Sequence, residues 1–165
     1  MFEDKNSSDS FNFTLDEEIN YSLYSKCYAV YIGVGEYLTL RKLNGPPNDA
    51  RQIKSTFEKL GFEVPKEYEN ILINKQVTKE SVENLLDRLE EEVKFDDESL
   101  FVFYFSGHGE TINQDYYLCP HDWNEEQIDT KIHFFDSIVK KVERFKSKHK
   151  LFILDACYGG SIFDL

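Results

Sequence analysis

Residues 100–109 read Leu-Phe-Val-Phe-Tyr-Phe-Ser-Gly-His-Gly. Six bulky apolar residues run without interruption and then stop at a serine and a glycine. The run is too short for a core helix and rich in aromatic residues, which reads as a strand buried on both faces. Such a strand needs neighbours of the same kind. Cys27–Gly33 (CYAVYIG) is one, Ile71–Ile73 a shorter one, and Leu151–Leu154 opens another that runs into Asp155-Ala156-Cys157.

Amphipathic segments lie between these strands. Asn48 is positioned to cap a helix whose Ala50, Ile53, Phe57 and Leu60 share a face, with Gly61 as its C-terminal stop. Thr78 caps a second, with Val82, Leu85, Leu86, Leu89 and Val93 on one side. Phe135, Ile138, Val139, Val142 and Phe145 trace a third. Tyr116–Leu118 suggests a small strand in the insertion before it. Alternation of strand and helix means an α/β fold: a parallel-dominated sheet flanked by helices, three layers deep. Right-handed crossovers favour an order with the first strand central, the second on one side and the third and fourth on the other. Ligands then bind at the carboxyl ends of the strands, where the loops after strands one, three and four converge.

Composition narrows the function classes. The chain has 165 residues, 19 Lys+Arg against 31 Asp+Glu, and a formal net charge of -12. No basic stripe is present for phosphate contacts, and the charge repels anionic membranes. The longest apolar run is far short of a membrane span, and Met1–Ser10 lacks the pattern of a secretory signal. Cys27, Cys119 and Cys157 are scattered and odd in number, which points to a reducing, cytoplasmic setting rather than a disulfide framework or structural zinc. Residues 1–25 are largely polar and acidic, read as a flexible tail or pro-segment; residues 26–165 carry the globular pattern.

The strand ends carry the chemistry. Ser106-Gly107-His108-Gly109 follows the third strand and Asp155-Ala156-Cys157-Tyr158-Gly159-Gly160 the fourth. Either residue alone reads blandly, the cysteine as a small hydrophobe and the histidine as a solvated loop residue. Both fall where the fold expects a site, and both are flanked by glycine. A thiol beside an imidazole is the minimum for nucleophilic acyl transfer. Glycines let a substrate backbone come close and leave N–H groups to face an oxyanion. Cys27 and Cys119 read as packing residues, and His121, His133 and His149 as surface residues.

These residues carry a resemblance to the caspase-like cysteine peptidases, the clan of caspases, metacaspases and paracaspases. Asp155-Ala156-Cys157-Tyr158-Gly159 resembles the cysteine motif, and His108 lies 49 positions before Cys157. Tyr104–Gly109 is similar to the histidine segment. Ala29–Gly33, Leu43-Asn44-Gly45 and Asn48-Asp49-Ala50 resemble the first strand and helix start, Leu60-Gly61-Phe62 the helix end, and Leu118–Asp122 the element after the histidine loop. The similarity runs from Cys27 to Gly160. It implies Cys157 as nucleophile, His108 as general acid/base, and an oxyanion hole from the backbone N–H groups of Gly109 and Cys157, with no third carboxylate and no cofactor for the chemistry.

Specificity is implied by a departure. Asp155 stands where caspases have glutamine, and two residues before Cys157 it shares the cysteine's face of the strand. This resembles the metacaspases and paracaspases, which cleave after Arg or Lys, and Asp49 matches a second acidic position of that pocket. Two carboxylates suit a bidentate guanidinium. The expected partner is therefore a peptide or protein with a basic residue at the cleavage site. Leu43 stands where caspases place an arginine, although Arg41 and Lys42 are near. An Asp-specific caspase and a catalytically silent scaffold of the same fold are the competing readings.

The clan's domains continue past the cysteine. The chain is therefore expected to be a large subunit, matured from a zymogen and completed by a small subunit of the same precursor that covers the apolar edge of the fourth strand. Some metacaspases are activated by calcium, and Asp122, Glu125, Glu126 and Asp129 form an acidic patch, but their spacing fits no defined calcium loop and a solvated insertion is the simpler reading.

Overall fold

The computed structural model describes residues 23–63 and 69–156. The proposed nucleophile Cys157, the glycines after it and the tail at residues 1–22 lie outside the described residues.

Strand β1 (Cys27–Gly33) is central and pairs along its whole length with β4 (Leu100–Gly107), which pairs in turn with β8 (His149–Ala156). The other edge of β1 is shared by β2 (Phe62–Glu63), beside Cys27 and Tyr28, and β3 (Ile71–Ile73), beside Tyr31 to Gly33. All these pairings are parallel. The order is the one expected from the strand–helix alternation. Period-two alternation then sorts the strands' side chains to two faces. Val30, Ile32, Phe101, Phe103 and Phe105 pack with Val82, Leu85, Leu86 and Leu89 of α2 (Lys79–Glu92). Ala29, Tyr31, Val102 and Tyr104 pack with Ala50, Ile53 and Phe57 of α1 (Pro46–Lys59). Helices on both faces of a parallel sheet make the three layers.

Local chemistry explains the helix ends. Thr78 caps α2 by accepting from the Ser81 N–H, while Ser81 Oγ accepts from the Thr78 N–H. Helix α1 does not start from Asn48 as expected. Gly45 is its N-cap, and its carbonyl accepts the N–H groups of Asn48 and Asp49. Pro46 and Pro47 can open the first turn because prolines lose no hydrogen bond there. Leu60, expected on the buried face, is the C-cap and 69% exposed, while Gly61 follows at φ +85. The third helix is also irregular, a π-helical stretch Phe134–Val139 leading into one turn, α3 (Lys140–Glu143). Its apolar positions still pack as the pattern predicts: Ile138, Val142 and Phe145 are buried, and Phe145 stacks on Phe95 at 4.5 Å.

Between β4 and the π-helical stretch stands a small antiparallel sheet of β5 (Gly109–Ile112), β6 (Asp115–Leu118) and β7 (Ile132–His133). Among the described residues, no helix is long and apolar enough to cross a membrane.

One glycine sets the distance between layers. A Cβ on Gly33 would lie 2.5 Å from the Pro46 carbonyl oxygen and 2.9 Å from Ala50 Cβ. The first turn of α1 therefore rests directly on the carboxyl end of β1. Gly33→Ala forces these apart, and the expected loss of unfolding free energy is about 1–3 kcal/mol by urea denaturation.

Candidate active site

The parallel register brings Gly33, Ser106 and Asp155 into one row across the carboxyl ends of β1, β4 and β8. Gly107 and Ala156 are paired one step further on. Because α1 begins directly above Gly33, its first-turn residue Asp49 stands over this row. A cavity of about 430 Å³ opens here, lined by Leu43, Asn44, Gly45, Pro46, Asp49, Ser106, Gly107, Asp155 and Ala156. The two acidic residues singled out in the sequence therefore face the same space. Among the described residues, no lysine or arginine lines it.

Asp155 is exposed, and its Oδ2 accepts a hydrogen bond from Ser106 Oγ at 3.2 Å. The buried Tyr104 phenol reports on the charge nearby. Burial pushes its pKa up, a Ser106 hydrogen bond opposes this, and the Asp155 and Asp49 carboxylates push it up further. One group thus senses both carboxylates. Leu43 is held to Gly35 by its backbone N–H. Arg41 and Lys42 are exposed, and Lys42 pairs with Glu36.

His108 follows β4 and is partly buried. Its Nε2 donates to the Arg41 carbonyl at 2.8 Å. A carbonyl only accepts, so Nε2 carries the proton and the neutral ring keeps its basic lone pair on Nδ1. Sequence reasoning missed this partner for a simple reason: a backbone carbonyl has no residue-type signal. The loop bearing it is tied down elsewhere. Gly35 N–H donates to Asn74 Oδ1, and Leu38 N–H to the His121 carbonyl. His121 Nδ1 donates to the Glu36 carbonyl at 2.6 Å. Tyr37, which no sequence motif singles out, accepts the His108 backbone N–H at 2.8 Å.

Gly109 opens β5 opposite Leu118. The Cys119 N–H donates to the His108 carbonyl at 3.0 Å, which makes Gly109–Leu118 a non-hydrogen-bonded pair of the ladder. The Gly109 N–H therefore points away from β6 and is not consumed by the sheet.

The other cysteines and histidines sort differently. Cys27 and Cys119 form no disulfide. Burial, with Glu63 second, pushes the Cys27 thiol up, away from the reactive thiolate. Cys119 is fully buried. His149 is exposed, as expected, but His121 and His133 are partly buried and structural. His133 Nδ1 accepts the Asp136 N–H and so caps the π-helical stretch. Among the described residues, no group of three or more His, Cys, Asp or Glu side chains could hold a metal ion.

A family model described as the caspase domain matches residues 26–164. Among solved structures, the chain is similar to a crystal structure of a Geobacter sulfurreducens protein, at 19% identity and a TM-score of 0.62. That similarity covers 84% of this chain and 53% of the Geobacter chain, so the chain spans about half the length of that relative. No curated protein matches the sequence.

Proposed function

This chain belongs to the caspase domain family, and from that premise we propose that it is a cysteine endopeptidase cleaving after arginine, with lysine second. The observation that carries the specificity is the cavity lined by both Asp49 and Asp155 and by no cation among the described residues. A carboxylate pair facing a guanidinium gains two charge-assisted hydrogen bonds in fixed geometry. An Asp-specific pocket needs a cation instead, and Arg41 and Lys42, just before Leu43 in the sequence, do not line the cavity.

The proposed chemistry follows from the groups around it. His108 Nδ1 takes the Cys157 thiol proton, and the thiolate attacks the scissile carbonyl carbon. The oxyanion is held by the Gly109 and Cys157 N–H groups; the orientation of Gly109 away from β6 supports this. The imidazolium returns its proton to the leaving amine. Water, deprotonated by His108, then hydrolyses the thioester. The Arg41 carbonyl keeps Nε2 protonated and stabilises the imidazolium while it exists.

A small subunit is proposed as partner. Its motivation is β8, which pairs only with β4 among the described residues and leaves Leu151 47% exposed. Mass spectrometry that finds no second polypeptide with the active protein would remove this partner.

Fluorogenic peptides ending in Arg, Lys or Asp test the function. Turnover is expected in the order Arg, Lys, Asp, with Cys157 alkylated by an arginyl chloromethyl ketone. Preferential turnover of the Asp peptide would overturn the specificity. A folded protein that neither turns over nor labels would leave the scaffold reading.

A further inference from the structure

The histidine that should move protons is held at its main chain and at its ring by one tyrosine. Tyr37 Oη accepts the His108 backbone N–H at 2.8 Å and donates to the Val34 carbonyl at 2.9 Å. The Tyr37 ring also lies against the imidazole, with centroids 4.8 Å apart and planes at 51°. The backbone before His108 is shaped around the same hydroxyl. A Cβ on Gly107 would sit 2.8 Å from Tyr37 Oη. Val34 is itself fixed, since its N–H donates to the Ser106 carbonyl at 2.9 Å.

We propose that Tyr37 is a positioning residue for His108, holding its main chain by the hydroxyl and its ring by the aromatic face. Nε2 thereby stays on the Arg41 carbonyl, and the Nδ1 lone pair stays available for the thiol proton. The inference rests on the reading of His108 as general acid/base, and it adds a residue whose role runs through His108. The hydroxyl bridges two backbone groups, a role a phenylalanine cannot fill. The ring restricts imidazole rotation, a role a leucine fills poorly.

Two variants separate the contributions. Tyr37→Phe removes one hydrogen-bonded bridge, and kcat on an arginyl peptide should fall about tenfold. Tyr37→Leu also frees the ring, and the fall should reach about a hundredfold. KM should change by no more than about twofold if Tyr37 acts through His108 rather than on substrate. A second readout does not depend on turnover. Ring nitrogen NMR, with His108→Gln identifying the His108 signals, should find one Nε2–H tautomer in the wild type and a mixture in Tyr37→Leu. A single tautomer and unchanged kcat in both Tyr37 variants would overturn the proposal. So would a change confined to KM. If no form turns over but Tyr37→Leu loses the single tautomer, the peptidase reading fails and the role of Tyr37 stands.

Discussion

His108→Ala should lower kcat on an arginyl peptide by about a thousandfold or more while leaving KM nearly unchanged. In the proposed mechanism the imidazole acts twice, taking the thiol proton in one step and protonating the leaving amine in the next. An alanine does neither, and water in its place is a far weaker base than imidazole. Stability should change little. The partly buried His108 contributes one side-chain hydrogen bond and one ring contact, while its backbone N–H still reaches Tyr37. Denaturation midpoints within error of the wild type, together with lost turnover, would separate a chemical role from a structural one. Residual activity within tenfold of the wild type would remove His108 from the mechanism.

The parts legible in the sequence were those written in side-chain periodicity. The run Leu100–Phe105 reads as a strand buried on both faces, and Phe101, Phe103 and Phe105 are indeed fully buried against one helix layer while Val102 and Tyr104 face the other. Thr78 reads as a cap because a hydroxyl there has one obvious donor to satisfy. Strand ends then predict where a site lies, and the resemblance to metacaspases and paracaspases is what named Asp49 and Asp155 together although 106 positions separate them. What stayed hidden depends on backbone. The Arg41 carbonyl has no residue signature. Strands β2 and β7 are two residues each, too short for any period to register. Strand β5 (GETI) has a single strongly apolar residue and a leading glycine, so it reads as loop. Gly45 replaced Asn48 as the cap because two prolines shifted the start of α1 upstream. The π-helical stretch kept its buried face and lost its regular turn, since burial sets the pattern and a capping histidine, not a propensity, sets the entry.

Asp155→Asn should cost about a hundredfold in kcat/KM on arginyl peptides, mostly through KM, and Asp49→Asn about tenfold. The substitution keeps shape and acceptor: an asparagine oxygen can still receive the Ser106 hydroxyl, so the row Gly33–Ser106–Asp155 stays in register. Only the charge leaves. Removing a charge whose proposed partner is in the substrate should cost binding rather than folding, and two carboxylates sharing one cavity repel each other before substrate arrives. The midpoint of denaturation should therefore stay unchanged or rise. The two substitutions should not add, because in the proposed pocket each carboxylate engages the same guanidinium. Peptides with a neutral residue at the cleavage site supply the control, since they never used the charge. If Asp155 instead served to anchor Ser106, the variant would lose stability and slow arginyl and neutral peptides alike. Loss confined to basic peptides with stability intact assigns the carboxylate to recognition.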